Sequence, residues 1–173
     1  MVSTEIRELL AHLEWADAVM WTAVLASEAG AADDRIRKLL GHGHETQWAY
    51  LQLWRGQPLN MPAGEDFPDL PAVARWARHS HQEIAAFAAA LDEAGLEREI
   101  EFPWAEQLVS RFGRVHPTTI RQSILQVALH SAYHRGQVNA RLRELGAEPP
   151  LVDFVAWVWR GRPPAEWPEA SRS

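Results

Sequence analysis

Four stretches of this chain repeat apolar side chains at three- and four-residue steps, and that spacing restricts the fold more than any other feature. In the first, from about Thr4 to Ser27, Ile6, Leu9, Leu10, Leu13, Ala16, Met20 and Val24 share a helical face before "EAGAADD" interrupts it. The second starts near Asp33 or Asp34, whose carboxylates suit an N-cap and the positive helix end, and runs through Leu39, Leu40, Gly43, Tyr50 and Trp54 to Gly56. After the proline-bearing loop "GQPLNMPAGEDFPDLP", the third runs from about Pro71 to Glu93, with Val73, Trp76, Ser80, Ile84, Phe87 and Leu91 on one face and Gly95 as its stop. The fourth opens at "HPTTIRQ", where Thr119 and Gln122 have capping-box spacing or Thr118 caps directly, and ends near Leu145 before Gly146, Pro149 and Pro150.

These stretches predict an all-α fold, a four-helix bundle with a long crossover between the second and third helices. "REIEF", residues 98 to 102, alternates charged and apolar side chains and is expected to pair with "LVSRFGRV" in a short hairpin before the last helix. Phe154 to Trp159 reads as a packed segment. Residues 1–160 are then one domain, and 161–173, polar and proline-rich, a poorly ordered tail. A chain of 173 residues is long enough to bury one such core, and 47% hydrophobic with 23% charged residues is ordinary for a globular protein.

Composition also removes functions. A net charge of -6 argues against a nucleic-acid partner, which calls for a basic face. With no cysteine, disulfides, thiolate metal sites and a cysteine nucleophile are excluded together, so any metal is held by nitrogen and oxygen. The N-terminus lacks the basic start and unbroken apolar core of a signal peptide, and no window offers the roughly 18 uncharged apolar residues of a membrane span. The expectation is a soluble, cytoplasmic protein with no membrane partner. Nine tryptophans run from Trp15 to Trp167; they are expected to anchor the core or an interface, those near the tail marking a dimer surface.

The eight histidines carry the chemistry. In "HSAYHRGQV", His130 and His134 are one helical turn apart, so their rings can converge on one point. The core stripe Ile120, Ile124, Val127 continues onto His130 or Ser131, then His134 and Val138, which places imidazoles where apolar groups are expected. Inward imidazoles need hydrogen bonds or a metal. "LLGHGHETQWAYLQLWRG" supplies a third donor, either His42, on a face with Thr46, Ala49 and Leu53, or His44, with Gln47 and Leu51; periodicity does not choose between them. Three neutral imidazoles leave a first-row divalent ion with open positions and undiminished Lewis acidity, able to lower the pKa of a bound water or thiol. His12 is a possible site-lining group or a hydrogen-bonded core residue. His79 and His81, two apart, are read as solvent-exposed, and His116 is assigned no role.

Three stretches stand in the order of a known family. "LEWADAVMW", with His12 upstream and Trp15, Ala16 and Asp17 within it, resembles an opening pattern of an aromatic or histidine followed by Trp-Ala-Asn or Trp-Ala-Asp. Counted from His42, Gln47, Tyr50 and Gly56 fall where the family has an acid or amide, an aromatic and a glycine; counted from His44 the fit is poorer. "LHSAYHRGQVNARLRELG" matches a closing His-x-x-x-His-Arg-Gly-Gln motif and its Leu-Gly end, and "PPLVDFVAW" is similar to a proline-rich final segment. On these residues the chain resembles the DinB/YfiT-like metalloenzyme family over nearly its whole length.

The resemblance implies a four-helix bundle, often a homodimer, holding nickel, zinc or iron on His42 (alternatively His44), His130 and His134. It implies that Arg135, Gly136 and Gln137 are mainly structural, Gly136 allowing close helix packing and Gln137 hydrogen-bonding near the site; a surface ion pair is the other reading of Arg135. Characterised relatives use low-molecular-weight thiols such as bacillithiol and mycothiol, so the implied activity is transfer of such a cosubstrate to an electrophilic small molecule, the metal converting the thiol to thiolate. A hydrolase using a bound hydroxide and a non-catalytic metal-binding stress-response protein are the alternatives. The family name's link to DNA damage finds no basic patch here.

Overall fold

The computed structural model describes residues 4–171. Its long helices are α1 (Thr4–Ala26), α3 (Asp34–Trp54), α4 (Leu70–Ala90) and α7 (Ile120–Glu144), joined by the short helices α2 (Glu28–Ala31), α5 (Glu93–Leu96) and α6 (Ala105–Phe112) and followed by α8 (Phe154–Trp159). The ends lie where side-chain chemistry puts them. Asp33 accepts from the Ile36 amide at the start of α3, Asp69 from the Ala72 amide at α4, and Thr119 and Gln122 form a reciprocal capping box at α7. Gly56, at φ +66, turns the chain away beyond α3.

The long helices contact one another in a ring: α1 with α7, α7 with α3, α3 with α4, and α4 with α1. Helices α3 and α7 run antiparallel, because Trp54 reaches Ser123 at one end while Arg141 reaches Asp33 at the other. Two apolar layers fill the ring. Trp21, Val24, Ile36, Leu40, Ala77, Val138 and Leu142 belong to one; Leu10, Leu13, Leu51, Trp54, Ile84, Ile124 and Val127 belong to the other. Between them, each long helix inserts polar residues: Asp17, then His44 and Gln47, then His81, then Ser131 and Arg135, all buried.

Several expectations are corrected. The small sheet exists, but β1 (Glu99–Ile100) pairs antiparallel with β2 (Thr118–Thr119), not with "LVSRFGRV". Residues 108–112 of that stretch belong to α6, an amphipathic helix closed by Gly113 at φ +74. In the C-terminal stretch Trp167 is 5% exposed and donates to Glu14, Trp157 donates to the Pro163 carbonyl, and Arg75 on α4 donates to the Ala170 carbonyl, while most residues from 161 to 170 are exposed. Burying one indole anchors this proline-rich segment. Residues 172 and 173 of the expected tail lie outside the described residues. Helix α1 is long and apolar enough to cross a membrane, yet half of that window is buried inside the protein, where α1 packs on α7 and α4.

Candidate metal centre

Helix geometry separates the two histidines of "HGH". Two residues correspond to about 200° of rotation, so His42 and His44 point to opposite sides of α3. His42 is exposed and its ring faces α7, with centroids 5.4 Å from His130 and 4.9 Å from His134. The donor nitrogens of His42, His130 and His134 all lie within 4.8 Å of one another. His130 and His134 are half-buried at the flank of α7; the residue that follows each of them, Ser131 and Arg135, is the buried one.

The hydrogen bonds prepare these rings as donors. His134 Nδ1–H donates to Gln137 Oε1 at 2.9 Å, which leaves its Nε2 with a lone pair. That Nε2 stands 3.1 Å from His130 Nε2. Two lone pairs so close repel unless a proton or a cation lies between them. Zinc–imidazole bonds of about 2.0–2.1 Å in tetrahedral geometry separate nitrogens by about 3.3 Å, so the spacing fits a shared divalent ion. Burial, then the charges His134 and His42 would carry, lower the His130 pKa, which favours its neutral form. Thr46 donates to the His42 carbonyl, and its hydroxyl lies 3.4 Å from His130 Nε2.

His44 is placed otherwise. It is 2% exposed, donates from Nδ1 to Gln47 Oε1 at 3.1 Å and accepts at Nε2 from the Trp21 indole at 2.9 Å. Both ring nitrogens are therefore occupied. Asp17, His44 and His81 also cluster closely enough to suggest a cation site, but a cation is already there: Arg135 donates to Asp17 Oδ1 at 2.6 Å. The other carboxylate oxygen accepts from Gln47 at 2.7 Å and His81 at 2.9 Å. Among the described residues this buried network is satisfied except at Arg135 Nε, which is buried without a hydrogen-bond partner. Burial alone would raise the Asp17 pKa; the Arg135 charge and the His81 hydrogen bond overcome it and hold the carboxyl well below its usual range.

The structure revises the exposure of His81, the surface pairing of Arg135 and the packing role of Gly136, while His12 is the hydrogen-bonded buried residue of its second reading. His81 is 2% exposed rather than solvated, on the stripe from Ala77 to Ile84, while His79 is exposed. Arg135 forms no surface pair; its partner Asp17 is as buried as it is. A Cβ at Gly136 would meet nothing within 4 Å, so close helix packing does not require that glycine. His12 lies in a groove between α1, α7 and residues 152–154, donating to the Val152 carbonyl at 3.0 Å and packed edge-on against Phe154, away from the three converging rings.

Two of these neutral histidines give a pH prediction. Burial lowers His12, and lowers His44 to about 4 against the pull of Asp17. The unfolded chain takes up their protons near pH 6.5 and the folded chain only well below it, so the stabilisation is complete above about 6.5 and is lost towards 4. Metal-free protein is expected to lose on the order of 2–3 kcal/mol across that window. Thermal melts between pH 7 and 4 check this; a melting temperature that holds or rises on acidification contradicts it.

A family model described as the DinB family matches residues 1–165 of the 173. No curated protein matches the chain.

Proposed function

The chain belongs to the DinB family, and on that premise we propose that it is a divalent-metal-dependent enzyme that transfers a low-molecular-weight thiol to an electrophilic small molecule. His42, His130 and His134 are the ligands in this reading. The observation that carries it is the convergence of three imidazole donors from two antiparallel helices, with no carboxylate among them. Bound there, nickel, zinc or iron keeps its full charge and supplies Lewis acidity that favours thiolate over thiol.

The chain's own part is orientation and access. Gln137 holds His134 in one tautomer, and Thr46 ties its hydroxyl to the turn that carries His42. His42 is exposed, so one side of the site opens to solvent and to an incoming molecule. Arg135 and Asp17, consumed by each other in the interior, are structural rather than reacting groups.

The test is turnover of reactive electrophiles with a panel of small thiols, before and after metal removal by a chelator. Thiol-dependent turnover that falls at least about a hundredfold without metal and returns on its restoration is expected; removing a bound Lewis acid forfeits several kcal/mol of transition-state stabilisation. Metal-dependent cleavage of esters or amides without thiol would favour hydrolysis instead. Stoichiometric metal with no turnover would favour a non-catalytic metal-binding protein.

A further inference from the structure

His130 and His134 sit on one helix, so the distance between them is set by the turn that separates them. The third donor comes from α3, and its approach depends on how α3 is seated along α7. A slip of one residue moves it about 1.5 Å and a slip of one turn about 5.4 Å, both beyond what a metal–nitrogen bond tolerates. Apolar layers specify such seating weakly, because aliphatic side chains can repack against shifted neighbours.

The polar layer specifies it strongly. Asp17 is acceptor-only, so it fixes the Gln47 amide with its NH2 towards the carboxylate; that amide also donates to Ser131 at 3.1 Å and turns its oxygen to His44. His44 in turn accepts from Trp21. Arg135, immediately after His134, closes the layer on Asp17, and Ser131 immediately follows His130. Gln47 is thus the one side chain of α3 that bonds both α1 and α7, five residues beyond His42. An axial slip of α3 would strand the buried Gln47 amide and take one hydrogen bond from Asp17, whose pair with Arg135 ties α1 to α7 and so holds the carboxylate that Gln47 must reach.

We propose that Gln47, Asp17 and Arg135 are positioning residues for the three-histidine site: Arg135 fixes Asp17 of α1 to α7, Gln47 fixes α3 to Asp17 and to Ser131 of α7, and together they set the register that brings His42 to the pair on α7. This rests on the metal reading above. The experiment is a double-mutant cycle on zinc affinity, measured by competition with a chromophoric chelator, with the visible spectrum of the cobalt-loaded protein as a second readout. Q47M keeps volume and removes the hydrogen bonds. It is expected to weaken zinc binding about 10- to 100-fold and to shift the cobalt spectrum towards that of H42A. In an H42A background, Q47M should cost nothing further, because there is no third donor left to position.

Wild-type affinity and spectrum in Q47M, or an equal loss with and without His42, would overturn the proposal. Should Q47M fail to fold, D17L/R135M, which replaces the buried pair by apolar groups of similar size, carries the same cycle with the same expected and opposing results. A wild-type protein that binds no zinc would be a separate result, bringing down the metal reading itself.

Discussion

Replacing His130 and His134 together by alanine is expected to leave a helical protein with nearly unchanged melting temperature and almost no bound divalent metal. Both rings sit at the half-buried flank of α7, outside the two apolar layers, so removing them opens no core cavity. Removing both together also leaves neither Nε2 without its partner 3.1 Å away. Metal binding should behave oppositely. Zinc sites bind with about 10 kcal/mol or more shared among a few ligands, so losing two of three lowers affinity about a thousandfold or more. Elemental analysis and circular dichroism on the same sample check both halves; full occupancy in the double variant would remove His130 and His134 from the site.

The mirror-image result is expected for Trp54→Ala. Trp54 is fully buried, stacks on Phe87 with centroids 5.7 Å apart and donates its indole N–H to Ser123 at 2.7 Å. Truncation leaves a large cavity and a buried hydroxyl short of a partner, a loss of about 3–5 kcal/mol. In a chain of this length that corresponds to a melting temperature lower by about 10 °C or more. Trp54 lies twelve residues beyond His42, about 18 Å along α3, in the apolar layer on the far side of the polar one. Zinc affinity measured below the melting transition should therefore stay within a few-fold of wild type. A parallel fall in affinity would mean that the site depends on the whole core rather than on the layer next to it.

Much of this was legible because it is local. The capping box of Thr119 and Gln122, the Asp33 cap and the one-turn spacing of His130 and His134 each involve residues within four positions, and the structure has all three. Choosing between His42 and His44 depended on which side of α3 packs inward, which periodicity left open because "HGH" offers one histidine to each side. Burial and the Trp21 and Gln47 bonds now place His44 in the core.

What stayed hidden was non-local. Arginine is so rarely buried that a surface ion pair stays open for Arg135 beside a structural role; its buried partner lies 118 positions away. His81 was masked because the small Ala77 does not advertise the inward stripe that continues through it to Ile84. In the C-terminal stretch, proline and polar composition outweighed a single indole, yet Trp167 is what holds that segment to the apolar layer. For β2, two threonines before a helix are too short a signal for a strand.

The most direct test of the central claim is the X-ray absorption spectrum of the zinc-loaded protein at the metal edge. Three imidazole nitrogens at about 2.0–2.1 Å, recognised by the outer-shell scattering of their rings, with any remaining positions filled by solvent oxygen, is the predicted first shell. An oxygen-only shell, or a single imidazole, would show that the three histidines do not meet around one ion.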